Sequence, residues 1–139
     1  MGQERWLQFK TNKKKVSDYL NSLNFPKDES DNKTFIIASA KTKTDCWVSW
    51  HGSRLEIASQ VFGEQSAWCS AISNRLHELF KADRAGADST GWWKKGEFPG
   101  KPFHMEVKWG ESHNKRFREA IEYKKLQKLY IKEAKRLLP

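Results

Sequence analysis

Three consecutive short segments rich in β-branched and aromatic residues constrain the fold more than any other feature of this chain. The segments are 34–40 (TFIIASA), 46–51 (CWVSWH) and 54–62 (RLEIASQVF). Segments of this length and composition are typical of strands. The last two are joined at His51-Gly52-Ser53, which favours a tight hairpin. Together they predict an antiparallel sheet.

Segments with helical spacing surround these strands. Residues 13–23 place Val16, Tyr19, Leu20 and Leu23 on one helical face. A second helix is predicted from Glu64 to about Lys81, and its buried stripe contains five apolar residues: Trp68, Ile72, Leu76, Leu79 and Phe80. A third is predicted over roughly 114–137, with Ser112 or Asn114 as its cap. The polar stretch 26–33 is expected to be a surface loop or a short disordered insert.

These elements predict an α+β fold in a single domain over residues 1–139. We expect a mostly antiparallel sheet of four or five strands, with three helices packed mainly on one face. A second hairpin is predicted across 91–109, with its turn at Pro99-Gly100. The length of 139 residues is typical of one domain with one core.

The cysteines and the hydropathy pattern indicate the setting of the protein. Cys46 and Cys69 stand outside any metal-binding or redox motif, so we expect two buried, reduced thiols. No apolar run approaches the roughly 18 residues of a membrane helix, and the first ten residues lack a signal-peptide apolar block. A cytoplasmic protein without a membrane partner is therefore expected.

The charge predicts a polyanionic partner. The chain carries 26 Lys and Arg against 17 Asp and Glu, a net charge of +9. Basic residues that neutralise phosphates release condensed counterions, so nucleic acid is the expected partner, with DNA ahead of RNA. Five of the seven tryptophans are candidates for stacking on bases or for the core: Trp47, Trp50, Trp92, Trp93 and Trp109.

Most of the surplus charge falls on the predicted C-terminal helix. Residues 115–136 contain nine basic and three acidic residues, a net charge of +6. A run of one sign favours contact with phosphates over salt bridges within the helix, although an ordinary solvated face is the alternative. The candidate phosphate-binding residues are Lys115, Arg116, Arg118, Lys124, Lys125, Lys128 and Lys132.

The segment 103–109 (FHMEVKW) alternates strictly. Its apolar residues take one face of the predicted strand, and His104, Glu106 and Lys108 take the other. Asp88 stands eighteen residues before Glu106. An acid pair beside a lysine is a candidate site for metal-assisted phosphodiester cleavage, in which a hard cation acts on the phosphate and on an attacking water.

Residues 86–110 resemble the PD-(D/E)XK nuclease superfamily, particularly its small phage-type replication and repair nucleases. The resemblance rests on Asp88 after a glycine-rich entry, a glycine turn and an apolar strand that contains the E-x-K of Glu106 and Lys108. A helix with a glutamate often precedes the motif in that superfamily, and Glu64 or Glu78 takes that place here.

The resemblance implies a small nuclease that uses Mg²⁺ or Mn²⁺. In this interpretation Asp88, Glu106 and Glu64 are the metal ligands, and the carbonyl of Val107 is a further candidate. Lys108 orients or deprotonates the attacking water, or stabilises the developing negative charge. His104 contacts a phosphate.

Two other functions fit the same residues. A non-catalytic nucleic-acid-binding module needs only the basic helix and the aromatic residues, and the E-x-K residues are then a surface charge pair. In that case Asp88 supplies turn chemistry, and Glu64 stabilises a helix N-terminus. The other function is that of an interaction protein, such as a phage-encoded inhibitor of a host enzyme, with the tryptophans as its hot spot.

Overall fold

A single antiparallel sheet organises the described part of the chain. The computed structural model describes residues 3–59, 64–87, 91–93, 125 and 128–139. The strands are β1 (Gln3–Gln8), β2 (Phe35–Ser39), β3 (Thr44–His51), β4 (Arg54–Ser59), β5 (Arg84–Ala87) and β6 (Gly91–Trp93). Their order is β2-β3-β4-β1-β5-β6, and all neighbours are antiparallel.

The predicted α+β class and antiparallel sheet are confirmed. Strands β2, β3 and β4 occupy the three segments predicted to be strands. The described part of the sheet has six strands, because it includes β1 and β5, neither of which was predicted. β1 pairs with β4 on one side and β5 on the other. β5 pairs antiparallel with β6, so this pair precedes the hairpin predicted around Pro99-Gly100, which lies outside the described residues.

The described ranges contain three helices, as predicted. They are α1 (Lys13–Ser22), α2 (Glu64–Phe80) and α3 (128–137), and Lys125 is also helical. α2 contacts β1, β3 and β4. The described helices pack on one face of the sheet, because the buried residues of all three belong to the same core as the inward side chains of the strands.

The core joins that face of the sheet to the helices. Leu7, Ile37, Val48, Leu55 and Ile57 point inward from four strands, and none is exposed to solvent. Alternation along each strand sends the intervening residues to the opposite face, which is half-buried or exposed. Hydrophobic burial on one side of the sheet therefore leaves the other side for polar and aromatic residues.

Trp68 on α2 contacts both β2 and α3. Its indole Nε1 donates a 3.0 Å hydrogen bond to the carbonyl of Ile37 on β2. Its ring lies 6.2 Å from the ring of Tyr130 on α3, and both side chains are fully buried. Tryptophan suits this position because it buries a large area and also satisfies a backbone acceptor.

The two cysteines are free and buried, as expected. Cys46 on β3 and Cys69 on α2 belong to the core. Burial and a hydrogen bond with Cys69 raise the pKa of the Cys46 thiol well above its ordinary value. The thiols therefore act as small apolar side chains.

The segment 26–33 is a surface loop closed by its own aspartates. The carboxylate of Asp31 accepts hydrogen bonds from the backbone N–H of Lys33 and the backbone N–H and hydroxyl of Thr34. These hydrogen bonds lower the pKa of Asp31 to about 2, with that from Lys33 as the largest cause. Asp28 closes the base of the loop, since its N–H donates to the carbonyl of Thr34 at 2.9 Å.

None of the helices in the described ranges combines the length and apolar character that crossing a bilayer demands.

Candidate nucleic-acid interface

The three predicted catalytic residues, Asp88, Glu106 and Lys108, lie outside the described residues. So do five of the predicted phosphate contacts: His104, Lys115, Arg116, Arg118 and Lys124. Glu64 is the first residue of α2. Glu78, the alternative helix glutamate, is half-exposed and forms a 3.0 Å ion pair with Arg75.

The C-terminal helix presents its lysines to solvent. Lys125, Lys128 and Lys132 are exposed, as the predicted cationic face requires, and Lys135 is exposed beside them. Positions three and four apart lie on the same side of a helix. These four lysines, which we call the α3 lysine row, therefore form one basic stripe. Tyr130, Ala134 and Leu138 bury the opposite side of this segment in the core.

A buried carboxylate fixes α3 to the edge of the sheet. Glu133 is 1% exposed, and its Oε1 accepts a 3.3 Å hydrogen bond from the hydroxyl of Ser39 at the end of β2. Its Oε2 accepts a 2.5 Å hydrogen bond from Nε of Arg136. The guanidinium of Arg136 lowers the pKa of Glu133, against the effect of burial.

The ion pair reduces the number of free cations on α3 below the number in its sequence. From the sequence, Glu133 is one acid on a solvated helix and Arg136 is one of its nine cations. In the structure they form an ion pair with each other, so Arg136 is not a free cation. The exposed charge near the C-terminus is therefore carried by the α3 lysine row.

A second basic surface forms where β1 leads into α1, and its position was not predicted. β1 ends at Gln8, between Arg54 on β4 and Arg84 on β5. The next residue, Phe9, donates its N–H to the carbonyl of Ser53 in the β3–β4 hairpin at 2.9 Å. The N–H of Lys10 then donates to the carboxylate of Asp83 at 2.8 Å. These contacts hold three separate segments together.

The assembled surface is strongly cationic, and we call it the basic end. It consists of Lys10, Lys13, Lys14, Lys15, Arg54, Lys81 and Arg84. The ammonium of Lys13 lies 5.2 Å from the ring centroid of Trp50, a cation–π contact. Acids also stand nearby, and Asp18 follows Lys14 by one helical turn on α1. Asp83 accepts from the backbone of Lys10, and Glu56 pairs with His51 at 2.8 Å.

The lysines of the basic end form no ion pair with any described residue. Across the described ranges, none of its five lysines forms an ion pair. Three of them occupy the first turn of α1, which contains no acidic residue, and Asn12 makes no side-chain capping hydrogen bond there. Cations are unfavourable at a helix N-terminus. The TNKKK sequence at the start of the predicted helix is the signal that could have identified this surface.

The segments next to two of the predicted metal ligands lie at the opposite end of the sheet. Gln3 pairs with Ser59, the last residue of β4, and Arg5 pairs with Ala87, the last residue of β5. α2 begins at Glu64, five residues after β4 ends, and Asp88 follows Ala87 in the chain. The topology therefore brings the segments that lead to two of the three predicted ligands to one end of the sheet.

A buried arginine occupies that end. Arg5 is 9% exposed on the helix-facing side, and its guanidinium donates to the hydroxyl of Ser70 on α2 from Nε at 3.3 Å and from Nη2 at 3.1 Å. These bonds attach α2 to β1. Among the residues described, no three His, Cys, Asp or Glu side chains are grouped as metal ligands. Because Asp88 and Glu106 lie outside that set, the metal site stays a prediction.

The Glu133 anchor should make stability depend on pH. A carboxylate whose pKa is lowered in the folded state stabilises the protein above its ordinary pKa of 4.5, and this contribution is lost as the pH falls through the folded value. We expect the free energy of unfolding to fall less between pH 7 and pH 3 in Glu133→Gln than in the wild type. Urea denaturation at several pH values measures the difference.

Lys132→Gln is the matched control for that measurement, because it changes one charge on the same helix without touching the buried carboxylate. It should keep the pH dependence of the wild type. An identical pH dependence in Glu133→Gln and the wild type would show that Glu133 does not titrate differently in the folded and unfolded states.

Comparisons with known proteins supply no family for this chain. No protein-family model, no curated protein and no solved structure matches it.

Proposed function

We propose that the protein binds nucleic acid, with DNA ahead of RNA, through the basic end. The proposal rests on the five lysines of the basic end. They come from two segments that meet at the junction of β1, α1 and β5, and none forms an ion pair with a described residue. Like charges brought together destabilise a fold, and a bound polyanion relieves that repulsion. Release of the counterions condensed on the nucleic acid adds to the driving force.

The α3 lysine row supports the same proposal. It is a second exposed stripe of cations, and the buried face of α3 holds it in a fixed orientation on the core. Two separate basic surfaces favour a long polyanion over a single small anion, since a nucleic-acid backbone offers phosphates at regular intervals.

Charge removal at the basic end should weaken binding and its salt dependence together. The slope of log K against log salt concentration is negative. We expect Lys14→Gln/Lys15→Gln to make it less steep by roughly 2, because each phosphate contact to duplex DNA contributes about 0.9 to its magnitude. Fluorescence anisotropy with a labelled duplex at several salt concentrations gives the slope.

Lys27→Gln/Lys33→Gln is the charge-matched control, because it removes two exposed lysines from the 26–33 loop. It should leave the slope within about half a unit of the wild type. If both double variants make the slope equally less steep, net charge alone determines binding. If the wild type binds neither DNA nor RNA at low salt, the proposal is wrong.

We propose phosphodiester cleavage as a second candidate function, carried by the sheet end where α2 begins and β5 finishes. Glu64, Asp88 and Glu106 would hold Mg²⁺ or Mn²⁺ through hard oxygen ligands. The bound ion would supply Lewis acidity at the scissile phosphate. Lys108, two residues after Glu106, would hold or deprotonate the attacking water, and the basic end would retain the substrate.

This candidate makes a prediction that separates it from binding alone. Glu106→Gln should abolish metal-dependent cleavage of DNA, because it removes a predicted metal ligand. Lys108→Ala should reduce cleavage by at least about a hundredfold, the usual size of a general acid–base contribution. Binding measured by anisotropy without metal should change less than about threefold, because the basic surfaces are intact. A gel assay with Mg²⁺ or Mn²⁺ and an end-labelled substrate gives the rate.

Asp83→Asn is the matched acidic control, since its carboxylate lies at the basic end and is bonded to the backbone of Lys10. It should retain cleavage. A wild type that binds DNA but cleaves neither DNA nor RNA with either metal would leave the binding function and remove the nuclease.

A further inference from the structure

The face of the sheet opposite the described helices has an organised surface of its own. Alternation places Trp6 and Gln8 of β1, Trp47 and Ser49 of β3, and Arg54 of β4 on this side, which we call the outer face. All five side chains are half-buried. The inward neighbours Leu7, Val48 and Leu55 are fully buried in the core.

The strand register arranges these side chains in rows across the sheet. One row runs from His51 through Arg54 and Gln8 to Arg84. The next row contains Ser49, Glu56, Trp6 and Gly86. The first row is also the margin of the basic end, so the aromatic and cationic surfaces are continuous.

Trp6 and Arg54 form the centre of the outer face. The guanidinium carbon of Arg54 lies 5.2 Å from the ring centroid of Trp6. Arg54 makes no ion pair with any residue in the described ranges, so its charge is available to an anion. A stacked guanidinium beside an indole can bind a phosphate with its edge and a base with its face.

Trp47 provides a second aromatic surface. Its cross-strand neighbours are Ile36 on β2 and Ala58 on β4, which carry no charge. No aromatic ring or cation of the described residues contacts its indole. It lies two strands and two residues from Trp6, roughly 12 Å away at the spacing of a sheet. The Trp47 indole is therefore a separate aromatic surface from the Trp6–Arg54 pair.

We propose that the outer face binds single-stranded nucleic acid, with Trp47 stacking on a base and Arg54, which lies over the Trp6 ring, contacting the backbone. This inference rests on the proposed nucleic-acid binding and adds the class of substrate. A duplex hides the faces of its bases within its own stack, whereas an unpaired strand can lay successive bases on a flat sheet. The chain's charge of +9 and the adjoining lysines complement the phosphates of such a strand.

The experiment compares an oligo-dT single strand with a duplex of equal length at one salt concentration, using fluorescence anisotropy. Trp47→Ala should weaken binding of the single strand by roughly 5- to 150-fold, the effect of losing one stacked base. Duplex binding should change less than about twofold. Trp47→Phe should restore most of the single-strand affinity, because it keeps a π-face.

Ile36→Ala is the structural control, because it removes an apolar side chain next to Trp47 without removing an aromatic ring. It should leave both affinities unchanged. Equal weakening of both substrates by Trp47→Ala, or no weakening of the single strand, overturns the inference. The proposed function fails separately, if the wild type binds neither substrate or if Lys14→Gln/Lys15→Gln leaves the salt slope unchanged.

Discussion

The pairing of β1 with both β4 and β5 is the constraint on which the rest of the structure depends. Without β1, the hairpins β3–β4 and β5–β6 share no edge, because β1 alone lies between them. With it, Leu7 and Phe9 enter the core and Trp6 takes the outer face. The exit of β1 brings Lys10 against Asp83 and Phe9 against Ser53. β1 thus determines which of its residues face the core and which face outward, and its C-terminal end holds the segments of the basic end together.

The placement of polar groups follows from that register. Leu7 and Phe9 fix which side of β1 is buried, so Arg5 is carried into the interior, where Ser70 accepts its hydrogen bonds. Glu133 is buried in the same way on α3, with Ser39 and Arg136 as partners. Buried charges need such partners, since an unsatisfied charge inside a protein costs several kcal/mol. In the described ranges the lysines of the basic end lack ion-pair partners, and this contrast favours an external polyanion.

Local pattern was enough to predict most elements of the fold. The helices from residue 13 and from Glu64 begin at the predicted residues and end within one residue of the predicted positions, because their apolar residues recur at helical spacing. β1 was not predicted because its sequence does not alternate apolar residues inside with polar residues outside. Arg5 is buried on the core side and Trp6 lies on the outer face. β5 escaped because Arg84–Ala87 has only small residues after its arginine. Tertiary pairing, which local periodicity does not encode, decides both strands.

Only part of the candidate interface could be predicted from the sequence, for the same reason. The exposed lysines of α3 follow from helical spacing, whereas the basic end depends on contacts between residues more than forty positions apart. The proposed nucleic-acid binding is tested most directly by adding a short DNA duplex to labelled protein and following the backbone amide signals by NMR. The largest shifts should fall at residues 10–15, 51–54 and 81–84, and they should vanish at high salt. Shifts confined to other segments, or none at low salt, would contradict the proposed interface.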